Sequence, residues 1–376
     1  IGSLRGGRRG VKGERSVRRG WCAVRAEGWF DGAMRPYDAF LLLSFGGPEK
    51  REDVIPFLEN VTRGRGIPRE RLAEVGEHYY LFDGVSPINQ QCRDLIAALR
   101  EDFAANGVDL PVYWGNRNWD PYLADTVAAM ARDGVRRAVA LSTSAYSNYS
   151  SHRQYLEDIE RARAAVPGAP EIDLIRPYYD HPGFVDAFVD HTRRALGRLP
   201  EELRADARLL YSAHSIPLAM ARRSGDPRRD YGPLTAYEAQ LAEVARLVTE
   251  RLGGGHRYEV VYQSRSGPPT QPWLEPDIND RLEELAAEGV RAVVVVPHGF
   301  VSDHMEVKYD LDVEAQATAE KLGIRLERAA APGTHPAFVA MVRDLVSERA
   351  EGRPPRGLGA IERSCHDDPA DCCQLR

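Results

Sequence analysis

The sequence has few cysteines, no long apolar run, no excess of basic charge and none of the common nucleotide-binding signatures. Five cysteines among 376 residues are too few for a disulfide framework. No stretch reaches the 18 or so uninterrupted apolar residues of a membrane span, so none is expected. Fifty basic against 56 acidic residues give a net charge of −6, the wrong sign for a dedicated nucleic-acid binder. No GxGxxG opens a helix after a strand, and neither a GxxxxGKS/T loop nor a GxSxG elbow occurs. Those absences weigh against the usual nucleotide-dependent enzymes and serine hydrolases. What remains, 43% hydrophobic and 28% charged residues, is the balance of a globular protein with room for two or three domains.

The charge is unevenly spread. Residues 1–33 hold eight basic and three acidic side chains, a net of +5, so the rest of the chain carries −11. The same segment has eight glycines and little apolar periodicity, and cannot bury enough surface to offset its ordering entropy. We expect a disordered basic leader, read first as sequence upstream of a true start at Met34, with a targeting peptide or a basic anchoring arm as the alternatives.

From Tyr37 onward, short β-rich apolar runs alternate with helical patterns. The clearest strands are 39–45, 136–144, 208–213, 258–264 and 291–297. Their nearly continuous hydrophobicity suits parallel strands covered on both faces. Between and after them the periodicity predicts helices over 91–105, 122–133, 152–165, 182–196, 236–252, 279–287 and 335–349. Such alternation means α/β architecture with parallel sheets. An internal echo pairs GVRRAV at 134–139 with GVRAVV at 289–294. Two similar Rossmann-like halves are expected, 36–175 and 176–349, with a cleft between them and a tail over 350–376. In open α/β sheets ligands lie beyond the carboxyl ends of the strands, which puts chemistry just after Phe45, Ser144, Ala213, Ser264 and Pro297.

Two of those strand ends carry sharper signals. His214 follows a buried strand in YSAHSIP, and imidazole exchanges protons near neutrality and binds transition metals. After the strand ending at Pro297, Glu306, Asp310 and Glu314 are spaced i, i+4, i+8, which stacks them on one face of a helix. Like charges at that spacing destabilise a helix, whereas a row of carboxylates suits the handling of cations or protons. His304 would point elsewhere and reads as structural. One histidine with several carboxylates and no nucleotide motif suggests a metal-handling enzyme.

These segments resemble ferrochelatases: LLLSFGGPE (41–49), ENVTRGRGIP (59–68), GVSPIN (84–89), YSAHSIP (211–217), YQSRSGPPTQPWLEPD (262–277) and GFVSDHMEVKYDLD (299–312). The match runs from Phe40 to about Arg349, and ENVTRGRG, GNRNWDP (115–121) and the C-terminal cysteines are most similar to the actinobacterial branch. The resemblance implies insertion of Fe(II), as substrate, into a porphyrin held between the two halves. The actinobacterial likeness favours coproporphyrin III, giving Fe-coproporphyrin III in haem biosynthesis. The alternatives are a protoporphyrin IX ferrochelatase that gives protohaem directly, a chelatase for another tetrapyrrole such as sirohydrochlorin, or a non-catalytic haem carrier.

The resemblance further implies that His214 and Glu306 stand on the two sides of the macrocycle as iron ligands and proton handlers, with Asp310 and Glu314 leading iron or protons toward them. Ser86, Tyr155 and Phe45 would contact the porphyrin, and Thr62, Arg63 and Arg65 fall in the porphyrin-lining loop, where Arg suits propionates. Phe45 stands where some bacterial members carry Tyr, and His298 where an apolar residue is usual. Actinobacterial relatives hold a [2Fe–2S] cluster through one internal and three C-terminal cysteines. Cys365, Cys372 and Cys373 would supply the three, with His152 at the internal position, since His can replace Cys at such an iron; the alternatives are a zinc site from the same ligands or a disordered tail with free thiols. A cytoplasmic enzyme in transient contact with neighbouring haem-pathway enzymes is expected, with no nucleic acid and no membrane span.

Overall fold

The computed structural model describes residues 37–266, 270–361 and 371–374. Residues 1–33 and Cys365 therefore lie outside the described residues. Eight strands form two four-stranded sheets, all parallel. They are β1 (Ala39–Ser44), β2 (Val112–Asn116), β3 (Arg137–Ser142) and β4 (Glu171–Leu174), then β5 (Arg208–His214), β6 (Tyr258–Gln263), β7 (Ala292–Val296) and β8 (Arg325–Arg328). The orders are β2-β1-β3-β4 and β6-β5-β7-β8, so the second sheet repeats the first, as the sequence echo implies.

The near-continuous apolar runs follow from burial on both faces. Along β1, Phe40 and Leu42 point into one apolar cluster while Ala39, Leu41 and Leu43 point into another. Along β7, Val294 and Val296 join the first cluster, and Val293 and Val295 a third. With a side-chain period of two, each strand must be hydrophobic at every position to fill both sides. The first cluster takes residues from both sheets, so the halves share one core.

Four helices close that core, Ala236–Leu252 among them. The last, Pro336–Glu351, packs on the second-half helix Pro182–Arg198 and also on the first-half helix Ile88–Ala105. Its contact with Pro182–Arg198 is close: a Cβ on Gly183 would meet the Ala337 carbonyl and stand 2.8 Å from Met341 Cβ. Polar ties join the halves as well. Tyr146 donates to the His298 carbonyl at 2.9 Å, and Gln91 and Asp303 exchange two hydrogen bonds, at 2.9 and 3.3 Å.

The central strands β1, β3, β5 and β7 and the edge strand β6 lie within a residue of expectation at most ends. The strands β2, β4 and β8 were not foreseen, and each is a sheet edge. Glu171–Leu174 and Arg325–Arg328 are short, charged and only partly buried, so their apolar signal is weak. Beyond the last helix the chain is held along the surface: Leu358 donates from its backbone to Asp180 at 2.9 Å, and Ala360 to Glu243 at 2.8 Å.

Candidate active site

His214 is the final residue of β5, and its position follows from register, since Ala213 pairs with Tyr262 and His214 with Gln263. Its Nδ1 is hydrogen-bonded to the Ser215 carbonyl. That bond assigns the proton to Nδ1 and leaves the Nε2 lone pair facing the cleft. Gly299 lets the next loop pass close beneath, since a Cβ there would stand 2.7 Å from Ala213 Cα. Nε2 of His214 lies 3.9 Å from Glu306 Oε2, with the two side chains 34% and 50% exposed.

The carboxylate ladder rests on a composite helix. Met305–Tyr309 is α-helical, Asp310–Ala315 is a π-helical turn, and Gln316–Leu322 returns to α. In an α-helix each four-residue step overshoots a full turn by about 40°. The wider π turn takes back part of that drift and keeps Glu306, Asp310 and Glu314 in line. Such π segments occur frequently at functional sites.

Charge pairing separates the ladder from its neighbours. Asp312, on another face, is bound by Arg328 and by Lys308 at 3.0 Å, and Asp303 by Arg328 at 2.9 Å. Among the described residues, none of Glu306, Asp310 and Glu314 has a Lys or Arg partner within 4.0 Å, and Glu306 has only His214. Burial pushes the Asp310 carboxyl up to about 7, with Glu306 and Glu314 adding repulsion, while hydrogen bonds from Ser264 and Gln263 oppose the rise. The ladder's middle group thus titrates near neutrality.

Gln263 and Ser264 were not singled out by the sequence reading, although they end β6 within the YQS motif. Ser264 Oγ donates to Asp310 Oδ2, and Gln263 Nε2 reaches the same oxygen at 3.2 Å. Gln263 Oε1 accepts from Ser212 Oγ on β5 at 2.6 Å, which couples the ladder to the histidine strand. Ser264 has φ of +63°, a left-handed conformation that costs free energy for a residue with a side chain. The signal for this clamp was its place at a strand end. Tyr79 also closes on the ladder, its phenol pushed far up by burial and by the nearby Glu306 and Asp310.

The remaining expected residues are spread around this pair. Phe45 is 38% exposed and packs edge-on against Phe57 at 6.2 Å. Ser86 is buried with its backbone N–H bonded to the Pro48 carbonyl at 2.8 Å. Thr62 caps the end of the helix Val54–Val61 through a 2.7 Å bond to the Leu58 carbonyl, and Arg63 and Arg65 follow it on an exposed turn. Tyr155 is buried in the apolar cluster on the outer face of the first sheet, under the Arg117 guanidinium at 3.9 Å. His298 is fully buried, its ring nitrogens 3.1 and 3.2 Å from the Ser212 and Leu241 carbonyls. Burial lowers its pKa to about 4, so it is a packed neutral histidine. His304 is likewise pushed down by burial.

One expectation needs adjusting. A planar ring between two side chains requires roughly 7 Å, two contact distances of about 3.5 Å. The 3.9 Å between His214 and Glu306 holds no macrocycle. Both groups would meet a ring from the same side, or move apart by about 3 Å to receive it between them.

For the cluster donors, His152 is buried on the π-helical turn Tyr149–Arg153 rather than on the following helix. Cys372 is disulfide-bonded, and Cys373 is buried with its Sγ 3.6 Å from that of Cys372. The Gly225 N–H donates to Cys373 Sγ at 3.2 Å. A buried sulfur held by a backbone N–H is the kind of donor a thiolate ligand needs. The disulfide and ligation are alternative fates of the Cys372 sulfur.

A family model described as Ferrochelatase matches residues 37–350. Among similar curated proteins, one named coproporphyrin III ferrochelatase from Streptomyces coelicolor is 55% identical over 354 residues, 91% of this chain and 94% of that protein. Another of that name, from Mycolicibacterium smegmatis, is 55% identical over 321 residues, 85% of this chain and 92% of that protein. Among solved structures, SirB from Bacillus subtilis with Fe3+ superposes with a TM-score of 0.50 at 14% identity, over 83% of this chain and 95% of that one, a likeness of fold.

Proposed function

The chain belongs to the ferrochelatase family, and from that premise we propose that it inserts Fe(II) into coproporphyrin III, giving Fe-coproporphyrin III in haem biosynthesis. The observation that carries the mechanistic reading is the row Glu306, Asp310, Glu314, without basic partners among the described residues, meeting the lone pair of His214 at 3.9 Å. Unneutralised carboxylates in line repel one another, and a divalent cation relieves that repulsion. The names of the relatives support the substrate.

Insertion replaces two pyrrole N–H protons by one Fe(II), so two protons leave for each iron that enters. His214 takes protons through Nε2, and a general base of this kind contributes roughly 10²–10⁴ in rate. Glu306 takes iron from the ladder and exchanges its waters for carboxylate oxygen. Asp310, titrating near 7, accepts or releases a proton at little cost as the charge beside it changes. With the pair on one side of the ring, proton removal and iron entry occur on the same face; with the ring between them, on opposite faces. Arg63 and Arg65 bind propionates at the rim, with Thr62, Ser86 and Phe45 forming the porphyrin side of the pocket, while Tyr155 supports it from within the apolar cluster behind the sheet. The boundaries 36–175 and 176–349 divide the halves that make this cleft.

Steady-state insertion under anaerobic Fe(II), comparing coproporphyrin III with protoporphyrin IX, tests the substrate. A higher kcat/KM for the four-carboxylate ring is expected. Preference for protoporphyrin IX would move the product to protohaem, and binding without turnover would make the chain a carrier.

We further propose that His152, Cys365, Cys372 and Cys373 hold a [2Fe–2S] cluster. It would supply one-electron redox chemistry at a potential raised by the histidine, and no step of iron insertion passes through it. Anaerobically purified protein should show visible iron–sulfur absorption and acid-labile sulfide, both lost in Cys373→Ser; protein with neither would refute the cluster. No described helix is long and apolar enough to cross a membrane. We infer a cytoplasmic setting and transient contact with neighbouring haem-pathway enzymes.

A further inference from the structure

Away from the cleft, the helix Pro182–Arg198 and the start of the last helix bring two imidazoles and a carboxylate together. Asp190, His191 and His335 each offer one ligand atom, and the three atoms lie within 4.8 Å of one another. All three residues are half-buried. We propose that they form a second metal site, for a borderline divalent cation of the Zn(II) class, distinct from the iron-inserting centre.

The hydrogen bonds around the group favour this chemistry. His191 Nδ1 lies 3.0 Å from the Ala330 carbonyl, which assigns its proton to Nδ1 and leaves Nε2 as a ligand. A ring nitrogen donated to a backbone carbonyl is the usual support of a metal-bound histidine. The His191 and His335 rings meet edge-to-face with centroids 5.2 Å apart. Asp190 accepts from His335 Nε2 at 3.2 Å and pairs with Arg194 at 2.8 Å, both through Oδ2. The Arg194 side chain is 68% exposed and can swing aside. A tetrahedral ion about 2.1 Å from each donor would draw the donors to about 3.4 Å apart, with water as fourth ligand. Half-buried side chains at a helix junction can close that distance.

Binding has a stated proton balance. His335 is the N-cap of the last helix, its Nδ1 accepting from the Ala337 N–H at 3.2 Å, so in the metal-free state Nε2 carries the proton. Coordination through Nε2 moves that proton to Nδ1 and gives up the cap bond, with no net proton release. Two imidazoles and a carboxylate bind Zn(II) more tightly than Fe(II), so the substrate metal does not compete well here. The ion would fasten the last helix to Pro182–Arg198.

The test is equilibrium dialysis of the full chain against Zn(II), followed by metal analysis. The cleft and the tail cysteines also offer zinc ligands, so the reading is a difference between variants. His191→Ala should hold one equivalent fewer than the wild-type chain. His335→Asn should do the same while keeping a good capping residue. Zinc should raise the thermal midpoint of the wild-type chain more than that of either variant. Equal stoichiometry and equal thermal response in all three proteins would overturn the site.

Discussion

Asp310→Asn separates the ladder's chemistry from its effect on stability. The Asp310 carboxyl rises from 3.8 to about 7 on folding, first through burial and then through Glu306 and Glu314. A carboxyl raised in the folded state binds its proton more tightly there than in the unfolded chain. Its favourable contribution is complete below pH 3.8 and is lost as pH rises through 7, where the ionised group opposes folding. The difference between 3.8 and about 7, at about 1.4 kcal/mol per pH unit, amounts to about 4 kcal/mol above pH 8. Asparagine keeps the acceptor for Ser264 and Gln263 and removes the charge. Urea denaturation should therefore find the variant more stable than wild type by about 1.6 kcal/mol at pH 5, where the unfolded carboxyl is already ionised, and by up to about 4 kcal/mol at pH 8.5. Insertion should fall in the same variant, because the group near neutrality is gone. A stability difference that does not change between pH 5 and 8.5, or a variant less stable at the higher pH, would refute the electrostatic reasoning.

Two further substitutions test the packing that supports the cleft. Gly183→Ala forces a Cβ against Ala337 and Met341 and should cost about 1–3 kcal/mol. On the same helix, Gly197→Ala meets nothing within 4 Å and should add roughly 0.5–1 kcal/mol; thermal melts that rank the pair the other way would contradict the helix contact. Arg117→Ala removes a 2.5 Å partner of the buried Asp158 and the cation above Tyr155. A loss of about 3 kcal/mol in chemical denaturation is expected, and a change below 1 kcal/mol would mean that Arg161 alone neutralises Asp158.

The sequence made the interior of each sheet readable, because strands buried on both faces leave unbroken apolar runs. Edges were less uniform: Tyr258–Gln263 kept enough apolar character to be read, whereas Glu171–Leu174 and Arg325–Arg328, short and charged, emerged only as partners of β3 and β7. His214 and the three carboxylates could be read from spacing and strand ends. The π-helical turn could not, since Asp310–Ala315 has no local residue pattern that separates it from an α-helix. The Gln263–Ser264 clamp was hidden for a related reason: its partner Asp310 is 46 or more residues away, and only the fold brings the two together. The distance between His214 and Glu306 was likewise set by tertiary structure, which brings residues 92 apart in the chain to 3.9 Å.

The most direct measurement of the central claim is anaerobic Fe(II) insertion by His214→Ala beside its affinity for coproporphyrin III. Loss of the Nε2 base should abolish turnover, with porphyrin binding read by fluorescence nearly unchanged. A variant that inserts iron at the wild-type rate would contradict the assignment of the proton-accepting site to His214.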